Sequence, residues 1–353
     1  MIEIAGDMLE GGGQIVRTTV ALSALTNKDV RITKIRDKRP NPGLQAQHVT
    51  AVQAVAAASA AETEGLLPGS KELMFKPRGH VAGGFSFNVG TAGSVPLILQ
   101  AVMPSAAYAP GQVEFELIGG TDVPWSPTVD YVRLVELPLL QLMGYRATLT
   151  VHRRGHYPKG GGRVTMLVDP PRTLKAVNLL DRGAETDVKG ISHCVKLPSH
   201  VAQRQAAAAK DKLSARAIRD VNIAIETYPS DQDPHFAPGS GIALAMKCVN
   251  GTILGADSIG ERGKPAELVG DEAASKLLKE FDSKAALDRH MGDIIIPYMA
   301  VAEGRSEIEV SAITMHTLTN IKVSEILAGV RFQVEGSVNE PGRISVQGIG
   351  LKT

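Results

Sequence analysis

The chain has 353 residues, a length typical of about two domains. Its 38 basic and 37 acidic residues nearly cancel, which excludes a protein held on nucleic acid or on an anionic membrane by its overall charge. Cys194 and Cys248 match no zinc spacing and no disulfide framework, so we interpret them as reduced thiols of a cytoplasmic protein. The amino terminus lacks a signal region, and no apolar run reaches the roughly 20 residues of a membrane span.

Three segments of the chain share one order of predicted elements: helix, strand, helix, then one or two strands. They cover residues 11–77, 93–168 and 292–349. The residues themselves differ between the segments, so the similarity is one of pattern. This pattern favours one structural unit used three times, with chance alternation in an α/β protein as the alternative.

A segment that breaks this order lies at about 183–284. It predicts two strands around a helix, then a hairpin, then a closing helix. The stretch Val249–Thr252, with its Asn-Gly pair, predicts a two-residue type I′ turn. The polar stretch 230–241 predicts a long, mobile loop. We interpret the whole segment as a small inserted α/β domain.

Polar residues cluster around the start of the first predicted helix. Glu10 precedes a run of three glycines, whose free amides and helix dipole suit a phosphate, and its carboxylate could hold a metal ion. The pattern fits recognition of phosphate and ribose, with an ordinary solvated surface as the alternative. The other members of this cluster are Gln14 and Arg17 on one helical face, Arg36 and Arg39 on a loop, and Gln47 and His48 at the next helix.

The segment 153–164, "RRGHYPKGGGRV", combines basic residues with three glycines. A P-loop needs its lysine directly after the last glycine and a helix behind it, whereas here the lysine comes first and a strand follows. An anion site and a tight basic hairpin both remain open for Gly160, Gly161 and Gly162.

His316 differs from the other histidines in its setting. It lies between an alternating strand and an amphipathic helix, among the hydroxyls of Thr314, Thr317 and Thr319. Active sites of α/β proteins form at such strand ends, and nearby amides favour the neutral, nucleophilic imidazole. A capping or core histidine is the alternative.

These segments, taken in chain order, resemble the RNA 3′-terminal phosphate cyclases. The resemblance rests on "EGGGQIVR", "IRDKRPNPGLQAQH", "GTAGSVPLILQ", "GGTDVPWSPTVDY", "RGHYPKGGGRV" and "HTLTNI", and it runs through almost the whole chain. It implies an α/β (α+β) fold with three βαβαββ-type units forming a large domain over 1–182 and 285–353. It also implies a smaller inserted α/β domain over 183–284.

The resemblance further implies an ATP-dependent ligase-type reaction that needs a divalent metal, Mg²⁺ or Mn²⁺. His316 would take AMP from ATP with release of pyrophosphate, and the AMP would pass to an RNA 3′-phosphate end. The adjacent 2′-hydroxyl would then close a 2′,3′-cyclic phosphate and release AMP. A branch of the family without the catalytic histidine acts in ribosome assembly, but this chain keeps His316.

Other site residues follow from the same motifs. Glu10 is similar to the acid at the ATP-bound metal, and Pro127 and Tyr131 to a pair that packs on adenine. The resemblance places Gln14, Gln100 and Asp293 at the nucleotide. It places Arg17, Arg36, Arg39, Gln47 and His48 at the RNA end or the phosphates. The oligomeric state stays open, a homodimer included.

Overall fold

The structure, a computed structural model, describes residues 1–171 and 173–352. It is a mixed α/β protein with four four-stranded sheets, each containing parallel and antiparallel pairs. In the first sheet the strand order is β1 (Ile2–Ala5), β2 (Val30–Thr33), β4 (Leu73–Lys76), β3 (Glu62–Glu64). Helix α1 (Gly13–Thr26) joins β1 to β2, and α2 (Ala46–Ala58) follows β2.

Two further sheets have the same strand order. The second is β5 (Gly83–Asn88), β6 (Val113–Gly119), β8 (Gly162–Asp169), β7 (Arg146–Arg153). The third is β9 (Asn178–Leu179), β14 (Arg305–Val310), β16 (Gly342–Gln347), β15 (Phe332–Glu335). In all three sheets the first two strands are parallel and the other neighbours are antiparallel.

The helices of these sheets pack in a closed ring. The second sheet carries α3 (Val95–Ala106) and a helix made of α4 (Val129–Tyr131), a π-helical turn (Val132–Glu136) and α5 (Leu137–Leu142). The third carries α8 (Arg289–Ile294), α9 (Ile296–Val301) and α10 (Met315–Ala328). Helix α3 packs on α2, α8 on the π-helical turn, and α1 on α10. The last contact brings the starts of α1 and α10 together.

The fourth sheet has its own layer of helices and its own apolar cluster. Its order is β11 (Val221–Glu226), β10 (Glu185–Val195), β12 (Gly239–Cys248), β13 (Ile253–Ile259). Helices α6 (His200–Ala215) and α7 (Ala266–Asp282) pack on each other and on this sheet. Fifteen buried residues form the core between them, separate from the larger core of the other three sheets.

The hairpin between β12 and β13 corrects one expectation. Type I′ requires positive φ at both central residues, but here only Gly251 has one, at +84°. The Gly251 amide donates to the Cys248 carbonyl at 3.0 Å, and the Cys248 amide donates to the Thr252 carbonyl at 3.0 Å. The loop therefore has three residues, with glycine in the left-handed position.

Two other expectations differ from the structure. The predicted order of elements omits β1, β5 and β9, which are the first strands of the three sheets that share one topology. It also omits β3. The polar stretch 230–241 is anchored at its centre, since His235 is only 2% exposed and Asp233 accepts from the His235 backbone amide at 2.9 Å.

Within residues 1–171 and 173–352, every helix is too short or too polar to cross a lipid bilayer.

Candidate active site

His316 is the second residue of α10 and stands in a polar region, the cleft, whose other members are Glu10, Arg17, Arg39 and Asp293. The Thr314 hydroxyl caps the helix by accepting from the Thr317 amide at 3.0 Å. The His316 side chain is 48% exposed, and its Nδ1 lies 4.0 Å from Oε2 of Glu10. An imidazole fixed at a helix start, half open to solvent, can meet a phosphate that approaches the helix dipole.

Glu10 reaches this cleft from the loop before α1. Its Oε1 pairs with the Arg39 guanidinium, which also donates to the Glu10 carbonyl at 2.9 Å. Its amide faces the Thr319 hydroxyl at 3.4 Å, which ties the loop to α10. Among the described residues its Oε2 is buried without a hydrogen-bond partner. A buried carboxylate oxygen whose lone pairs accept no hydrogen bond is a suitable ligand for a hard divalent cation.

The glycine run before α1 makes room for this arrangement. A Cβ atom on Gly12 would collide with the Glu10 carboxylate, and one on Gly13 would collide with the His48 ring. Gly11 has a φ of +63°, which favours glycine. Glycines 12 and 13 are therefore required for the close approach of side chains, in addition to leaving the first amides of α1 uncapped.

A hydrogen-bonded network connects α1 with α10. Gln14 donates to the Asn320 side chain at 3.0 Å and accepts from Arg17 at 2.6 Å. Thr18 donates to the same Asn320 oxygen at 2.7 Å. Asn320 in turn donates to the Asp293 carbonyl at 2.7 Å, so α8 joins the network. The network fixes the two helix starts relative to each other.

Burial governs the protonation of Arg17 and His48. Loss of hydration lowers the pKa of Arg17 to about 10, so it stays charged at neutral pH. Burial, with the charges of Arg17 and Arg36, lowers the pKa of His48 to about 3. His48 is therefore neutral, and its Nδ1 accepts from the Gln45 amide at 2.9 Å as a cap of α2.

Asp293 holds the other side of the helix start. It lies on α8, and its Oδ1 accepts from the Thr314 hydroxyl at 2.6 Å and from that of Thr317. Burial raises the pKa of Asp293, while the two hydroxyls and the nearby His290 and His316 act in the opposite direction. Asp293 thus positions α10 through its capping residues.

The pKa of His316 is lowered. Partial burial is the largest cause, and the charges of Arg17, His290 and Arg39 add to it, while Asp293 opposes the change. At neutral pH the ring is accordingly uncharged and carries a lone pair. That is the form a nucleophilic imidazole requires.

Three of the expected site residues are engaged in loop or helix contacts. Arg36 donates to the carbonyls of Asn41 at 2.8 Å and Gly43 at 3.1 Å, which shapes its own loop. Gln47 accepts from the Ser94 amide at 2.9 Å, at the start of α3. Gln100 lines a small pocket together with Gln14 and Asn320, so it lies beside the hydrogen-bonded network of α1 and α10.

Pro127 and Tyr131 do not form an open ring pair in this structure. The Tyr131 ring is 2% exposed, and its hydroxyl donates to Asp288 at 2.8 Å. Pro127 is partly buried at the preceding turn. The exposed ring of His290 lies edge-on to that of Tyr131, with 6.0 Å between centroids.

The glycine hairpin between β7 and β8 lies against the inserted segment. Gly160 and Gly161 have φ of +62° and +69°. Arg153 donates to the Gly161 carbonyl at 2.7 Å and stacks on the Phe236 ring at 4.0 Å, and Phe236 covers Gly161. These contacts are those of a tight hairpin.

Sequence reasoning missed Asp288. It is fully buried at the start of α8, where its carboxylate accepts from the amides of His290 and Met291 at 2.9 Å. It also accepts from the Gly255 amide at 2.8 Å, which connects α8 to the fourth sheet. The signal for the cap was present, since an aspartate precedes a helical run; the contact with Gly255 depends on tertiary structure.

Comparison with known proteins supports the family resemblance that the sequence motifs indicate. A family model described as RNA 3′-terminal phosphate cyclase matches residues 8–334. RNA 3′-terminal phosphate cyclases from Ignicoccus hospitalis and Hyperthermus butylicus are 51% and 50% identical, covering 99% and 100% of this chain and 99% of each relative. That of Methanopyrus kandleri is 49% identical over 98% of this chain and 99% of its own length. The chain therefore belongs to the RNA 3′-terminal phosphate cyclase family.

Proposed function

We propose that this chain uses ATP to convert the 3′-terminal phosphate of an RNA into a 2′,3′-cyclic phosphate, with His316 as the nucleophile. The observation that carries this proposal is the setting of His316. Its half-exposed, neutral ring lies at the start of α10, between the Glu10 and Asp293 carboxylates. Family membership supplies the substrate class.

The first step transfers AMP to His316. We assign the proton to Nδ1, which lies 4.0 Å from Oε2 of Glu10. Nε2 then holds the lone pair and attacks the α-phosphorus of ATP. A P–N bond forms as the bond to the bridging oxygen breaks, and pyrophosphate leaves. Glu10 stabilises the imidazolium that develops.

The second and third steps return the enzyme to its starting state. An RNA 3′-phosphate oxygen displaces His316 from AMP and forms a 3′-to-5′ pyrophosphate link. The neighbouring 2′-hydroxyl then attacks the RNA phosphorus, its proton goes to solvent, and AMP leaves. The hydroxyl is already held next to the phosphorus, so ring closure needs little further ordering.

Arg17 and Arg39 supply positive charge for these steps. Arg17 is buried beside Gln14, and Arg39 adjoins Glu10 at the mouth of the cleft. Arginine binds phosphate oxygens through paired donors, and it keeps its charge at neutral pH. We assign both to the triphosphate and the RNA end, with His48 and Gln14 as uncharged neighbours.

Glu10 is the residue that would hold a divalent metal. Its partnerless Oε2 provides the oxygen ligand such an ion prefers. The ion, when bound, would offset the negative charge of the triphosphate. Adenine would enter from the side of Pro127 and Tyr131, and because Tyr131 is covered, the exposed ring of His290 offers a stacking face.

Labelling with ATP tests this proposal directly. The protein is incubated with ATP labelled in the α-phosphate and a divalent metal, then denatured at alkaline pH. We expect label on the protein that is stable to alkali and labile to acid, as a phosphoramidate is, and that RNA 3′-phosphate ends chase into the 3′-to-5′ pyrophosphate intermediate and then into free AMP. A protein that takes no label with either Mg²⁺ or Mn²⁺ would instead belong to the catalytically silent branch.

The pH dependence of adenylylation follows from the lowered pKa of His316. The neutral ring is the reactive form, and its pKa lies below the ordinary 6.5. Single-turnover labelling at saturating ATP should therefore reach its half-maximal rate below pH 6.5. A half-maximal rate at or above pH 6.5 would contradict the environment described for this ring.

We also propose a division into two domains, with 1–182 and 285–353 forming the larger and 183–284 the smaller. Three sheets of one topology and a ring of helix contacts support the first, and a separate apolar core supports the second. The isolated fragment 183–284 should fold, with an α/β circular dichroism spectrum and a cooperative thermal transition. A fragment that melts without cooperativity would argue for one indivisible domain.

A further inference from the structure

A cluster of buried histidines lies outside the proposed active site, where the second sheet meets the fourth. Asp122 follows β6, His156 belongs to the hairpin between β7 and β8, and His193 is on β10. All three side chains are at most 5% exposed. They come from three separate parts of the chain, so only tertiary structure brings them together.

The ligand atoms of this cluster converge. Nε2 of His156 and Nε2 of His193 are 3.2 Å apart, and a carboxylate oxygen of Asp122 is 3.9 Å from Nε2 of His193. One ligand atom from each residue lies within 4.8 Å of the other two. Bonds of 2.0–2.1 Å in a tetrahedral zinc site place two nitrogens about 3.3 Å apart. The histidine pair already has this spacing.

His235, on the loop before β12, is a third buried histidine in this region. Its Nδ1 is 2.8 Å from the Asp233 carboxylate, and its Nε2 is buried with no hydrogen-bond partner in the described part of the chain. A carboxylate on one ring nitrogen, with the other free, is the arrangement seen behind metal-bound histidines. Burial lowers the pKa of both His156 and His193, and the charges of Arg154 and His235 act in the same direction, which places His235 in the neighbourhood of both rings.

The charges around the cluster leave one carboxylate unmatched. Glu226 accepts from Arg154 through both oxygens at 2.7 Å. Asp130 pairs with Arg133 at 3.0 Å and with Arg154 at 2.7 Å. Asp122 accepts from the Thr121 hydroxyl at 2.7 Å, but its contact with Arg154 is long, at 3.3 Å, and within the described residues its Oδ1 is buried without a partner. Three carboxylates thus face two guanidinium groups.

We propose that Asp122, His156, His193 and His235 bind one divalent transition-metal ion of the zinc class. Three imidazoles and one carboxylate form a nitrogen-rich, four-ligand set that suits zinc and its neighbours better than magnesium or calcium. The positive charge of the ion balances the Asp122 carboxylate, and Nε2 of His235 binds the ion through its lone pair. Because the site is deeply buried, its role is structural. The ion holds the glycine hairpin of residues 153–164 against the fourth sheet.

Reconstitution with Co²⁺ as the probe tests the site. The full chain is unfolded in guanidinium with a chelator, refolded with Co²⁺, and desalted. We expect about one Co²⁺ per chain by mass spectrometry, visible ligand-field bands of a four-coordinate ion, and a higher thermal midpoint than the metal-free protein. His193→Ala and His235→Ala should lose the bands, and metal should no longer raise their midpoint.

Matched variants separate this site from the active site and from misfolding. His152→Ala removes an exposed ring on the same hairpin, hydrogen-bonded to Thr165 at 2.9 Å, and should keep the bands. Glu10→Gln should keep them too. If a histidine variant does not fold, Asp122→Asn preserves shape and should shift the bands. Wild-type protein that retains no Co²⁺, or histidine variants with unchanged spectra, would overturn the proposal without affecting His316.

Discussion

His316→Ala should lose self-adenylylation and RNA cyclisation together, each by about a thousandfold or more, because the variant has no atom to carry AMP. Folding should be little affected, since the ring is half exposed and the Thr314 cap of α10 does not involve it. Thermal midpoint and circular dichroism check that expectation. Labelling with α-phosphate-labelled ATP measures the first step, and conversion of RNA 3′-phosphate ends measures the whole reaction.

Two other exposed histidines serve as matched controls for this experiment. His152 lies on β7, away from the cleft, and its alanine variant should retain full labelling. His290 lies beside the cleft, and its alanine variant should weaken ATP binding while the protein still becomes labelled. The assignment of His316 fails if His316→Ala is labelled at the wild-type rate, or if the label of the wild-type protein moves to another residue on peptide mapping.

Local patterns predicted the helices and most of the strands. The helical spacing of "QIVRTTVALSALT" and the alternation of "QVEFELIG" each belong to one element, so a short window contains the signal. The first strands of the three related sheets contain less of this periodic signal. Strand β9 has only two residues, and β5, at the edge of its sheet, is largely exposed along its length. Their parallel pairing with a later strand decides their structure.

The candidate site shows the same division. His316, Glu10 and Arg17 could be selected from residue type and position at helix starts, and the structure brings them into one cleft. The burial of Tyr131 could not be foreseen, because it depends on α8 and Asp288, more than 150 residues away. The histidine cluster was missed for the same reason. Its members lie more than 30 residues from one another in the sequence, so no short window contains them together.

Arg154→Met should destabilise the protein by about 3–5 kcal/mol, the largest stability effect we expect from one substitution. Arg154 is completely buried, and its guanidinium contacts Glu226, Asp130 and Asp122. Methionine fills part of the volume but leaves these carboxylates with less positive charge in a site that excludes water. Urea unfolding at neutral pH measures the change. Arg163→Met, on the same hairpin but 49% exposed in its pair with Glu116, is the control and should unfold within error of wild type.

The pH dependence of the Arg154→Met deficit identifies its cause. Burial raises the pKa of Asp122 and of Asp130 in the folded state, and loss of Arg154 removes the charge that opposes this rise. A group whose pKa is higher folded than unfolded gains stability as pH falls. The gap between variant and wild type should therefore narrow from pH 8 to pH 5, as the folded variant takes up protons. A gap that stays constant over this range would mean that lost packing, rather than unmatched carboxylates, destabilises the variant.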